Sequence, residues 1–249
     1  MSIVDLAILL AAGFGAGLVG YVTGMASLVS YPALLAVGLD PLSANVTNTV
    51  ALVAVGVGSF AKSGRVLTAD DGGRSLGRDA LAALAGGVVG ALVLLVSPDE
   101  AFGFVVPYLV AVASLALLVQ PRLRAWIAHG VDRPVLWVAG VFLVSIYGGY
   151  FGAGAGVIFL ALAMVATALP LWRATLLKSA LLGVANAVAA VAFMVWGPVH
   201  WAAAAAMGVG CLLGGWLGPP VVSRLPAGPL RVAIGLGGLA LALYLALTS

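Results

Sequence analysis

A lysine inside an apolar segment, preceded by a run of glycines and alanines, is the first chemistry this chain offers. The stretch GGYFGAGAGVIFLALAMVATALPLWRATLLK covers residues 148–178 and places Gly152, Ala153, Gly154, Ala155 and Gly156 ahead of Lys178. Small residues let a helix break or pack closely within a membrane. A lysine at that depth is expensive unless it has a partner or a task. Lys178 and Ser179 follow Thr175 by three and four residues, and Asn186 by eleven, so the four recur near one helical face. Such a set suits an anion. Glycines admit its close approach, unpaired N–H groups at a helix start replace its water, and the ammonium supplies charge. Snorkelling to the interface is the plainer role for Lys178, and tight helix packing the plainer role for the glycines.

A second set lies in the first half. Sliding the chain over itself by 129 residues brings Gly20-Tyr21 onto Gly149-Tyr150, Pro41-Leu42 onto Pro170-Leu171 and Ala51-Leu52 onto Ala180-Leu181. The patch Thr23-Gly24-Met25-Ala26-Ser27 then matches the glycine-alanine patch, and Asn45, Thr47, Asn48 and Thr49 occupy the helix where Thr49 is the repeat partner of Lys178. GGVVG at 86–90 resembles GCLLG at 210–214. The shared order of features argues for duplication. Tyr21 and Tyr150, beside the two patches, either line a path or pack.

The elements that must hold these residues are membrane helices. Of 249 residues, 63% are hydrophobic and 8% charged, with 34 glycines, 12 prolines and a net charge of +3. Soluble domains carry about 25% charged residues. MSIVDLAILL lacks a basic leader region and is not expected to be a cleaved signal peptide. The single cysteine, Cys211, reads as a small packing residue. No nucleotide fingerprint or metal-ligand cluster is present in the sequence, so no cofactor, metal or nucleic-acid partner is expected.

Each half opens with a nearly unbroken apolar run, Leu6 to Leu39 and Val135 to Leu169. As one straight helix such a run would be about 50 Å long against a hydrocarbon core of about 30 Å. It must therefore break at the small-residue patch. The reading is a pair of short helices in each half, 3–20 with 25–38 and 136–150 with 154–168, each shorter than a comfortable span. Three fuller helices follow in each half: 41–61, 79–96 and 102–119, then 171–195, 201–218 and 229–247.

If each broken pair goes in and returns, each half crosses an odd number of times and the halves are inverted. On that count Lys62, Arg65, Arg74, Arg78, Arg122, Arg124, Arg133, Arg173, Arg224 and Arg231 share one face. Asp5, Asp40, Asp99, Glu100, His200 and both termini share the other. The positive-inside rule makes the basic face cytoplasmic and puts the termini outside. Lys62 and Arg173 read as interface anchors, and His200 as an interfacial loop residue. The fold expected is an all-α polytopic membrane protein of two inverted repeats, with eight to ten transmembrane segments by counting convention. Residues 1–120 form the first repeat, 121–134 a cytoplasmic linker and 135–249 the second repeat.

The pieces GYVTGMASLVSYPALLAVGLDPLSANVTNTVAL and GYFGAGAGVIFLALAMVATALPLWRATLLKSALL resemble the TauE/SafE sulfite and organosulfonate exporters, of the 4-toluene sulfonate uptake permease superfamily. The resemblance covers essentially the whole chain. It departs from the family pattern at Thr23, Met25 and Ser27, where glycine is commoner. It implies a cytoplasmic-membrane transporter, expected to work as an exporter, for sulfite, sulfoacetate or related sulfur-containing anions. The expected substrate site is Thr23, Gly24, Met25, Ala26, Ser27, Asn45, Asn48 and Thr49 with Gly152, Ala153, Gly154, Ala155, Gly156, Thr175, Lys178 and Ser179, and Tyr21, Tyr150 and Asn186 along the path.

With no Asp or Glu inside an assigned span, a carboxylate proton relay through the membrane centre is not expected, and the membrane potential can itself drive an anion outward. An intramembrane enzyme would need a nucleophile with a base, a carboxylate pair or metal ligands, which the sequence lacks. A cation transporter is disfavoured by the positive intramembrane charge. A non-catalytic membrane scaffold or partner subunit, or a carrier of another small anion, is the competing reading. The partners expected are a small anion and the bilayer, and a homo-oligomer is compatible with both.

Overall fold

The computed structural model describes residues 1–23, 25–53, 75–126, 132–222 and 227–248, with backbone alone at 21–23, 123–126, 171, 217–222, 227, 230 and 248. The described residues form helices and no strands: α1 (Ile3–Thr23), α2 (Ser27–Ala36), α3 (41–53), α4 (Leu76–Val96), α5 (Asp99–Trp126), α6 (Pro134–Tyr150), α7 (Ala155–Ala166), α8 (Leu171–Trp196), α9 (Trp201–Val222) and α10 (Ala227–Thr248). Four of these, α1, α4, α5 and α8, are long and apolar enough to cross a membrane. Large apolar side chains such as Leu81, Val96, Phe104, Val112 and Leu143 are exposed, as suits helices whose solvent is lipid. The chain is an all-helical, multi-pass membrane protein.

Both apolar runs break where the small residues lie, between α1 and α2 and between α6 and α7. The two breaks are built differently. Gly152 and Gly154 have φ of 78° and 79°, a left-handed backbone that glycine adopts without a Cβ clash. At the equivalent place in the first half, Met25 is not a glycine, and Ala26 enters α2 with helical angles, φ −51° and ψ −41°. This accounts for a first patch poorer in glycine.

Two expectations need correction. Helix α1 is not a short half-span: its 21 residues extend about 31 Å, and Ile3–Gly20 is by itself a candidate span. The glycines at 13, 15, 17 and 20 do not stop it, because Gly13 and Gly17 are packed against α9. Nor are the spans free of carboxylates. Helix α4 begins at Leu76, three residues before the expected start, with Ser75 as its cap accepting from the Arg78 N–H at 3.3 Å. Asp79, expected at the very edge of the span, therefore lies a turn inside a candidate span and is 1% exposed. Asp5, Asp99 and Glu100 also fall in first helical turns, where the helix dipole favours negative charge. Helix α5 overruns its expected end, so residues 121–126 of the expected linker are helical.

Packing crosses between the halves. Helix α1 lies along α9, and α4 along α6 and α8. In the first crossing a Cβ on Gly210 would strike the carbonyl of Leu10, and one on Gly214 that of Phe14. In the second, Gly86 meets the carbonyl of Phe142 and Gly90 that of Ile146. Both numbers rise together in each crossing, so α1 runs parallel to α9 and α4 parallel to α6. Helices α5 and α10 are antiparallel, since Gly238 faces Ser114 while Gly235 faces Leu118. Small residues four apart let these backbones touch, which substitutes van der Waals contact for the hydrophobic effect that lipid removes. One buried core unites α1, α2, α3, α5, α9 and α10 with Ala91 and Leu94 of α4, Val157 of α7 and Ala189 and Phe193 of α8. A second is formed by Ala83 of α4 with α6, α7 and the first turns of α8.

Candidate functional site

Two helix starts from opposite halves open onto one cavity of about 150 Å³. Gly20, Ala26, Ser27, Leu52 and Val53 line it from the first half, and Gly152, Ala155, Gly156, Lys178, Ser179, Leu182, Gly183 and Asn186 from the second. At the 129-residue offset, Ala26 pairs with Ala155, Ser27 with Gly156 and Val53 with Leu182. Six of the thirteen lining residues are thus paired by the repeat. Most leading N–H groups of α2 and α7 already donate to the turn before the helix, Leu28 to Met25, Val29 and Ser30 to Ala26, Ala155 to Gly152, and Val157 and Ile158 to Gly154, and the positive dipole ends of both helices lie at this space. Lys178 is 8% exposed. Ser179 donates its hydroxyl proton to the Thr175 carbonyl at 3.1 Å, which leaves lone pairs on its oxygen. A volume that holds several waters holds a small oxyanion.

The expected residues divide. Ala26, Ser27, Gly152, Ala155, Gly156, Lys178, Ser179 and Asn186 meet at the cavity. Met25, 1% exposed, belongs to the core. Ala153 and Gly154 shape the break: the Tyr147 hydroxyl donates to the Ala153 carbonyl at 2.5 Å, and Gly154 packs on Ala113 of α5. Gly24, and the side chains of Tyr21 and Thr23, lie outside the described residues, as do Lys62, Arg65, Arg74 and Arg224. Thr175 is not part of the lining, and its carbonyl holds Ser179.

The polar run on α3 ties helices together. Asn45 donates from Nδ2 to the Tyr150 carbonyl at 2.8 Å. Ser30 of α2 donates to Oδ1 of Asn48 at 2.5 Å. Thr49 donates to the Asn45 carbonyl at 3.0 Å, and Thr47 accepts from the His200 N–H at 3.0 Å. Tyr150 stacks edge-on with Phe102, and Phe151 edge-on with Tyr31, at centroid distances of 5.7 and 5.5 Å. Tyr31, Phe102 and Phe151 are all nearly fully buried, so these rings form a plug beside the break.

Sequence reasoning missed Gly20, Leu52, Val53, Leu182 and Gly183. The signal was helical spacing: Leu182 and Gly183 follow Lys178 and Ser179 by four residues, and Leu52 and Val53 follow Thr49 by three and four.

Sulfite exporter TauE/SafE is the family whose pattern matches residues 9–245. A protein described as probable membrane transporter protein ORF9, of Sinorhizobium sp, is 29% identical over 217 residues, covering 86% of this chain and 81% of that protein. No solved structure matches the chain. The match runs across both breaks, the cavity and both halves, and on it this chain belongs to the sulfite exporter TauE/SafE family of membrane transporters.

Proposed function

We propose that this transporter carries small sulfur-containing anions, sulfite, sulfoacetate or a related organosulfonate, out across the cytoplasmic membrane. The observation that carries this reading is the cavity where the starts of α2 and α7 converge with Lys178. Helix ends, the Ser27 hydroxyl and one ammonium replace water around a negative solute, and no carboxylate is among the described residues that line the space. The substrate-binding residues in this reading are Ala26, Ser27, Gly152, Ala155, Gly156, Lys178, Ser179 and Asn186.

The repeats are 1–120 and 135–249, joined on the cytoplasmic side by 121–134 and inverted in the membrane. Parallel packing of α1 with α9 and of α4 with α6 supports the inversion, because ten alternating helices, five to a half, make those pairs parallel. Alternating access in this reading is rocking of one half against the other. Asp79 bonds to Trp137 instead of facing the cavity, so the membrane potential, at about 2.3 kcal/mol per charge per 100 mV, is the driving force.

The test is flux of radiolabelled sulfite, sulfoacetate and thiosulfate in proteoliposomes at clamped potentials. Voltage-dependent anion flux is expected. Flux that ignores voltage and strictly requires a proton gradient would remove the driving force. Cation flux without anion flux would remove the substrate class, and no flux of any solute would favour a scaffold.

A further inference from the structure

The break before α7 accepts a side-chain hydrogen bond from the other half of the chain. Asn45 of α3 is completely buried, and its Nδ2 donates to the carbonyl of Tyr150, the last residue of α6. Carbonyls at a helix C-terminus lack intrahelical donors, so this amide satisfies a group the break has orphaned. Its Oδ1 is buried and accepts nothing, so the Tyr150 bond is what orients the side chain. A flipped amide would set oxygen against oxygen.

Two residues beyond Tyr150 the chain enters the left-handed turn at Gly152, and Gly152, Ala155 and Gly156 face the cavity. Displacing the Tyr150 carbonyl therefore displaces the N–H groups that begin α7. At the 129-residue offset Asn45 corresponds to Ala174, which has no side-chain amide, so this tie serves one break only.

We propose that Asn45 is a positioning residue for transport: it touches no substrate, and it fixes the α6–α7 break so that the start of α7 is aimed into the cavity. As a statement about transport this rests on the anion reading above. The geometric part does not.

Asn45→Leu keeps the approximate volume and removes the donor. In proteoliposomes it is expected to raise the half-saturation concentration for sulfite about tenfold, the scale of one buried amide–carbonyl bond, with little change in maximal rate. Asn45→Asp donates only while protonated, so its flux relative to the unsubstituted protein should fall as pH rises. Amide hydrogen exchange at 151–156, read without substrate, should quicken about tenfold in Asn45→Leu for the same bond. Unchanged exchange, or an unchanged half-saturation in a folded variant, would overturn the assignment. Should Asn45→Leu fail to fold, Asn45→Asp carries both measurements. If the unsubstituted protein moves no anion, the transport reading fails while the exchange experiment still decides the tie.

Discussion

The indole nitrogen of Trp137 donates to Oδ2 of Asp79 at 2.7 Å, binding the first turn of α6 to the first turn of α4. Both side chains are nearly or wholly buried, and among the described residues the second carboxylate oxygen has Arg78, 3.7 Å away. A buried carboxylate that loses its donor keeps its desolvation penalty. Trp137→Phe removes the donor while preserving a ring against Phe159. It should cost about 1.5–3 kcal/mol, the range for a bond to a charged group, read as a lower midpoint of thermal unfolding in detergent. Adding Asp79→Asn should recover part of the loss, because the charge is then gone.

Close helix crossings predict a different failure. Gly90 lies against the carbonyl of Ile146, and Gly214 against that of Phe14. A Cβ at either place meets backbone, which cannot rotate away. Gly90→Val and Gly214→Val should each prise apart one crossing and destabilise by several kcal/mol, about the upper range for overpacking. The measurement is the yield of monodisperse protein after detergent extraction. Since each crossing joins the two halves, separately expressed halves should associate less in either variant.

The sequence made the helices legible because apolar runs, small-residue patches and prolines bound them. The breaks at 24–26 and 151–154 followed from length alone, since 35 apolar residues cannot cross straight. Part of the cavity followed from the repeat, which put Ala26 opposite Ala155 and Ser27 opposite Gly156. What could not be read was the use of each polar group. Asn45 and Asn48 have the composition of a binding site, yet their hydrogen bonds go to Tyr150 and Ser30. Only tertiary neighbours decide that. Asp79 was read as an edge residue for a related reason: the cap at Ser75 starts the helix a turn earlier, and its partner Trp137 is 58 positions away.

The turn into α3 carries a titratable cap. Partial burial raises the Asp40 carboxyl, but hydrogen bonds from Ser43 and the charge of His200 outweigh it and hold the group below the usual carboxylate range. A lowered folded value means stabilisation that is complete above the unfolded value, about 3.9, and lost as pH falls through the folded one. Asp40→Ala should therefore lower the unfolding midpoint at neutral pH by an amount matching about 0.5–1 kcal/mol, the modest range for an exposed cap. The gap between variant and parent should close as pH is taken from 5 to about 3. A gap independent of pH would mean that the charge contributes nothing.

Lys178 separates charge from shape. It is 8% exposed and lines the cavity beside Ser179. Lys178→Gln keeps a polar chain of similar reach and removes the ammonium. If the ammonium faces the anion, flux at low sulfite concentration should fall about thirtyfold or more, the scale for losing one member of a desolvated charge pair. Lys178→Arg should retain part of the rate, since charge survives while geometry changes. Normal transport by Lys178→Gln would take the lysine out of the mechanism and leave the helix ends to bind alone.

Gly183 distinguishes a cavity that is used from one that is merely present. It lies on the lining, and a Cβ built there meets nothing within 4 Å. Replacing a helical glycine gains about 0.5–1 kcal/mol of helix propensity, so the fold should tolerate a side chain. Gly183→Leu would project four carbons into a space of about 150 Å³. The expected result is an unfolding midpoint equal to or above that of the parent, together with anion flux near background. Gly183→Ala, which adds one methyl, should fall between. Parental flux in a stable Gly183→Leu protein would mean that this part of the lining is not on the solute's path.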